Sequence, residues 1–176
     1  MVTLLHVEDA VPFGQLSDVA PGKIHQRLRK HIERSELNGA VIMGGFEVKA
    51  DDADQQWIPH SHLLIAGCGE AQLDSLCQQF TAKRASHRVP LTELAKQISY
   101  TQKFLSLRQA QPRSGPDRPG GYRLRTPEHN EFLAWIAQYR PSELLFMFNL
   151  SRQNGLELHV SDAAAQPARV AMRRLG

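Results

Sequence analysis

Two long apolar runs separated by one polar stretch constrain this chain more than any other feature. AVIMGGFEVKA (residues 40–50) and WIPHSHLLIAG (residues 57–67) flank DDADQQ, and both are rich in β-branched and aromatic residues. Two such runs around a short polar connection read as a β-hairpin. In a strand, alternate side chains share a face, so His60 and His62 project together. The partner run holds one acid, Glu47, among apolar neighbours. A carboxylate there is costly if buried unless it is paired or bound to a cation. Across the hairpin, Glu47 can share a sheet face with the two histidines. Two imidazoles and a carboxylate suit a divalent metal, Mg²⁺ or Mn²⁺ where a substrate phosphate completes the shell. The same letters also fit solvent-facing strand histidines and a solvent-facing acid.

The rest of the chain supplies helices around the hairpin. VTLLHV (2–7) reads as a strand. GKIHQRLRKHIERSEL places Ile24, Leu28 and Ile32 on one stripe of a helix with a basic outer face, closed by Asn38-Gly39. EAQLDSLCQQF is a second helix, with Leu73, Leu76, Cys77 and Phe80 inward. HRVPL is extended. Thr92 caps a helix through ELAKQISYTQKFLSL whose core stripe is Leu94, Ile98, Thr101 and Leu105. Residues 109–125, rich in proline and glycine, read as a linker. Thr126-Pro127-Glu128 starts another helix. SELLFMFNLSRQNG reads as a helix closed by Asn154-Gly155, although FMF fits a buried strand equally. LELHV is a short strand. The expected architecture is an α/β sandwich of the α+β kind, with helices flanking a central antiparallel sheet. The expected organisation is a domain over 1–108, the linker, a mainly helical segment over 126–160 and a flexible tail over 161–176.

Composition narrows the function classes. The chain has 176 residues, enough for one core, and 41% of them are hydrophobic. No apolar run approaches the roughly 20 residues that span a bilayer, so no membrane is expected and the cytoplasm is the expected compartment. The two cysteines, Cys68 and Cys77, match no zinc or redox spacing and read as structural thiols. A net charge of +3 is only mildly basic. Positive charge concentrates in IHQRLRKHIER and PRSGPDRPGGYRLR, which fit either phosphate contact or a solvated face. No P-loop is present, and GCGE lacks the third glycine of a dinucleotide fingerprint.

One further pattern bears on chemistry. SYTQKF holds Tyr100 and Lys103 at i and i+3 on a helix, with Lys96 on the same face. A phenol beside ammonium groups can act as a nucleophile toward a metal-bound phosphate.

PHSHLL, the upstream strand glutamate, the downstream Tyr-x-x-Lys and the opening VTLLHV together resemble the HUH endonuclease superfamily. The order of motifs is that of single-tyrosine rolling-circle replication initiators and transposases. The resemblance covers residues 2–103. It implies that His60 and His62 hold the metal with Glu47 as third ligand, and that Tyr100 attacks DNA to leave a 5′-phosphotyrosine. Lys103 would stabilise the transferring phosphate. Lys96, Arg84, Arg113, Arg118 and Arg123 are the expected DNA contacts. Phe104 stands where a second tyrosine would lie, which fits the single-tyrosine class. The implied partner is single-stranded or hairpin DNA, with a separate helicase for unwinding. Two other readings stay open: a DNA-binding module without nuclease activity, using the basic helix at 23–34, and a metal-dependent phosphoesterase that activates water.

Overall fold

β3 (Val41–Asp51) and β4 (Gln56–Ala66) pair antiparallel along their whole length, with Glu47 opposite His60 and Gly45 opposite His62. This computed structural model describes residues 1–80, 86–101, 108–109, 123–153 and 157–160. The expected hairpin is therefore present. Its turn closes through Gln55 at φ 51° and an Asp51 carboxylate that accepts the Ala53 N–H. β1 (Val2–Leu5) lies antiparallel on the far side of β4, and β5 (Ser86–Arg88) lies outside β1. β2 (Val11–Pro12) pairs with the start of β4.

Two more segments join β3. β7 (Leu145–Phe148) runs antiparallel beside its first half, and β6 (Arg108–Gln109) runs parallel at Ala50 and Asp51. The described residues thus form one seven-stranded, mainly antiparallel sheet, together with a separate pair of β8 (Leu150–Gln153) and β9 (Glu157–Val160).

Alternation along β3 and β4 divides the sheet into two unlike faces. Ile42, Phe46, Val48 and Ala50, with Trp57, Leu63 and Ile65, turn to a core face and are buried there. That face is covered by α1 (Pro21–Arg34), α2 (Glu70–Gln78) and α4 (Thr126–Ile136). Ile24, Leu28 and Ile32 of α1 are buried in it, as their spacing predicts. Each such side chain contributes about 1.5–3 kcal/mol through burial. Leu76 and Phe80 of the second helical segment and Phe132 and Trp135 of α4 complete the core. Glu47, His60 and His62 point the other way, toward α3 (Leu94–Thr101), which packs on β3 and β4. An α+β sandwich results, as expected.

A proline sits inside the ligand-bearing strand without breaking it. Pro59 carbonyl accepts the His6 N–H, so its ring nitrogen faces the same side. The His6 carbonyl is taken by Asp9 N–H, and the missing donor of Pro59 leaves no acceptor stranded.

Three expectations change. α1 stops at Arg34 rather than at Asn38-Gly39. Glu36 takes φ 57°, its N–H bonds Glu33 carbonyl, and Leu37 N–H reaches back to Ile32 carbonyl. This is a Schellman closure with glutamate in the left-handed position, favoured because Leu37 and Ile32 then share the core. SELLFMFNLSRQNG is not one helix. A single turn, α5 (Pro141–Leu144), gives way to β7, because Phe146 fills the core as a strand residue while Asn149 at φ 54° breaks the chain direction. Asn154 and Gly155 lie outside the described residues. The segment 126–160 accordingly holds α4 and α5 but also β7, β8 and β9, and it enters the central sheet through β7. Leu105, most of the 109–125 stretch and the 161–176 tail lie outside the described residues as well.

Candidate metal centre

The register of the hairpin builds this site. Glu47 and His60 are cross-strand partners, and His62 follows two residues later on the same face. Both imidazoles turn Nε2 toward one oxygen: His60 Nε2 lies 3.4 Å and His62 Nε2 3.5 Å from Glu47 Oε2. One ligand atom from each of the three residues falls within 4.8 Å of the others. The rings of His60 and His62 meet edge to face, with centroids 4.8 Å apart. All three residues are buried, Glu47 at 6%, His60 at 7% and His62 at 5% exposure.

Those distances discriminate between two roles. Unstrained N–H···O bonds cluster near 2.9–3.0 Å, so 3.4–3.5 Å is long for hydrogen bonding. Two donors each about 2.1 Å from one cation stand roughly 3.0–3.5 Å apart. Glu47 Oε1 is also buried with no hydrogen-bond partner among the described residues, an orphaned acceptor that a cation would satisfy. The three residues therefore fit a divalent metal, and the His₂Glu donor set leaves its identity open.

Electrostatics favour the same arrangement. Burial alone would push the Glu47 carboxyl up, but the two imidazoles that face its Oε2 hold it down at about 2. Burial pushes His60 below its ordinary value, against the pull of Glu47. The site thus keeps an ionised carboxylate beside a neutral His60 ring, the forms in which both ligate.

The outer nitrogens are held unequally. His62 Nδ1 is 2.8 Å from Thr3 Oγ1, whereas His60 Nδ1 is 3.5 Å from Ile58 carbonyl. Between the two ligands, Ser61 faces the core side and is bonded there by His6 Nε2 at 2.9 Å.

Tyr100 reaches this centre from α3. Its ring meets His62 edge to face with centroids 4.9 Å apart, and the residue is 41% exposed. The helix stripe is partly as expected: Thr101 is buried and Ile98 half-buried, while Gln97 is also buried. Gln97 accepts the Glu93 N–H and donates to Pro90 carbonyl, tying the start of α3 to the preceding loop. Lys96 is exposed and paired with Glu93 at 3.1 Å. Arg123 is exposed. Lys103, Arg84, Arg113 and Arg118 lie outside the described residues.

Sequence reasoning missed Thr3. Lys49 is half-buried on the same face of β3 as Glu47, and burial lowers its ammonium against the pull of Asp51. Thr3 had only its position between Val2 and Leu4, because the partner of β1 could not be read from the chain.

The basic helix has other work. α1 covers the face opposite the metal ligands. Arg27 pairs with Asp9 and Glu8, and Arg29 bonds Met147 carbonyl and lies over Phe146. His6, Glu8 and Asp9 also cluster at ligand distance, but the Arg27 guanidinium already occupies both carboxylates. Cys68 and Cys77 are free thiols half-buried against the core, as expected. No helix among the described residues is long and apolar enough to cross a membrane. Comparison of the chain with family models, with curated proteins and with solved structures returns no match, and the site is read from its own geometry.

Proposed function

We propose that this chain is a metal-dependent nuclease and strand transferase that nicks and rejoins single-stranded DNA through a 5′-phosphotyrosine on Tyr100. The observation that supports it is the tyrosine ring 4.9 Å from His62, itself part of a buried His₂Glu cluster. A centre with a buried carboxylate and two imidazoles on one side, and a partly exposed phenol on the other, suits attack on a phosphodiester drawn in between them. Rolling-circle replication initiation is the preferred setting, with a separate helicase as partner. A single-tyrosine transposase uses the same chemistry.

In the proposed step the Tyr100 Oη attacks the scissile phosphorus. A tyrosine–phosphorus bond forms, the bond to the 3′-oxygen breaks, and the proton the phenol gives up ends on that oxygen, which leaves as a free 3′-hydroxyl. A bound Mg²⁺ or Mn²⁺ would polarise the phosphate and offset its developing charge. Glu47, His60 and His62 would hold that ion. Tyr100 is exposed enough to reach substrate while its ring stays fixed against His62. Lys103, three residues on in the sequence, is the proposed partner of the phosphate.

Incubation with hairpin-forming oligonucleotides and Mn²⁺, followed by denaturing electrophoresis, tests this reading. A slower protein band that vanishes in Tyr100→Phe supports it. Metal-dependent cleavage without an adduct would make water the nucleophile, and binding without cleavage would leave a DNA-binding module. Dimeric mass in solution would favour the transposase setting.

A further inference from the structure

β1 contributes a side chain that the metal-centre reading leaves without a role. Val2 and Leu4 point into the core, so Thr3 between them projects onto the ligand face. Its cross-strand partner is His62, and its hydroxyl oxygen stands 2.8 Å from His62 Nδ1. The imidazole has two chemically similar nitrogens, and a turn of the ring about its Cβ–Cγ bond would exchange the directions they face. With Nδ1 engaged by Thr3, Nε2 alone is left to face Glu47, where it lies 3.5 Å from Oε2. Among the described residues the other ligand has no comparable partner, since His60 Nδ1 is 3.5 Å from the Ile58 carbonyl.

We infer that Thr3 is a positioning residue for the metal centre: its hydroxyl fixes the His62 ring so that Nε2 faces Glu47 and His60. The inference rests on the metal-binding reading for its purpose, though the ring orientation can be measured without metal. A hydroxyl suits this place because it can both donate and accept. It donates to a bare Nδ1 when Nε2 carries the proton toward Glu47, and it accepts from Nδ1–H when Nε2 is free to ligate. Valine has the same outline and can do neither. Outer partners of ligating histidines orient the ring and raise its basicity, and losing one weakens metal binding about 10- to 100-fold.

The test compares the full chain with Thr3→Val and Thr3→Ser, with Thr3→Ala as a second hydroxyl deletion should the valine variant not fold. Calorimetric titration with Mn²⁺ alone reads affinity. Melting in chelator checks that each variant is folded, and nitrogen-15 spectra of the imidazoles in chelator read which nitrogen of each ring carries the proton. Thr3→Val is expected to bind Mn²⁺ about 10- to 100-fold more weakly, with Thr3→Ser within a few-fold of wild type. The His62 ring signals should change in the valine variant while those of His60 stay put. Unchanged affinity and unchanged His62 signals in Thr3→Val would overturn the inference and leave the metal reading intact. A wild-type chain that takes up no Mn²⁺ would instead overturn the metal reading, and the nitrogen-15 comparison would still decide whether Thr3 holds the ring.

Discussion

Glu47 and His60 face each other across the central hairpin, and the Glu47 oxygen that meets His60 at 3.4 Å also meets His62 at 3.5 Å. One carboxylate oxygen shared by two imidazoles is a poor hydrogen-bond arrangement and a good ligand set. The remaining properties of the site follow from that choice.

If the three residues hold a cation, Mn²⁺ at about 100 times its dissociation constant should stabilise the fold by about 2.7 kcal/mol. For a chain of this size that raises the melting temperature by about 5–10 °C. Glu47→Gln and His60→Ala should lose the increment. An equal increment in either variant, measured by thermal melting, would place the cation elsewhere.

Tyr100→Phe keeps the edge-to-face ring contact with His62 and removes the hydroxyl alone. Its Mn²⁺ affinity should be unchanged, because the phenol is not one of the three ligands. Tyr100→Ala gives up the ring contact, worth about 0.5–1.5 kcal/mol. Paired denaturation and metal titration separate these effects from the loss of adduct formation.

Acid should weaken the fold in two successive windows. His6 is pushed down to about 3 by burial and then by Arg27 and neighbouring histidines, and His25 to about 4 by burial and Arg29. Between those values and the ordinary 6.5 the unfolded chain binds more protons than the folded one. Stability is therefore full above about pH 6.5 and falls as pH drops, with a slope of up to about 1.4 kcal/mol per pH unit for each histidine. Glu47, held near 2, contributes stability above about 4.5 that is lost as pH falls further. Urea denaturation from pH 7 to pH 4 checks the first window, and His25→Phe should make it shallower, leaving the share of His6. A flat profile in the wild-type chain would contradict the buried neutral histidines.

Glu131 fastens α4 to the opposite end of the sheet. Its carboxylate accepts the N–H groups of Gly14 and Leu16 and the Trp57 indole N–H. Glu131→Ala leaves the part-buried Leu16 and Trp57 donors unpaired while water can reach the Gly14 N–H, and should cost about 2 kcal/mol, with a smaller loss for Glu131→Gln, which keeps one acceptor oxygen. Chemical denaturation of both variants measures the difference.

Gly44 admits no side chain. A Cβ there would collide with the His62 carbonyl and with Leu63 Cδ2, both across the ladder. Gly44→Ala should destabilise the hairpin by about 3 kcal/mol or more and disturb metal uptake through His62. Retained Mn²⁺ affinity in a folded variant would show that β3 and β4 can part locally without moving the ligand.

Much of this was legible from alternation. The hairpin, the inward stripe of α1 and the common face of Glu47, His60 and His62 all follow from periods of two and 3.6 residues. The closure of α1 was not, because a glutamate at the left-handed position gives no local signal; Leu37 chose the stopping point by what it could bury. The strand character of LFMF depended on a place beside β3 that only the assembled sheet provides. Thr3 belongs to the same class, since its partner lies 59 residues away.

β4 carries its ligands and its core residues in alternate positions, with Ser61 and Leu63 turned one way and His60 and His62 the other. A slip of one residue against β3 would send the imidazoles into the hydrophobic interior and bring Leu63 out beside α3. Folding error and loss of the centre are therefore one event. Any chain that has closed its core in this register has also brought its three ligands to one face.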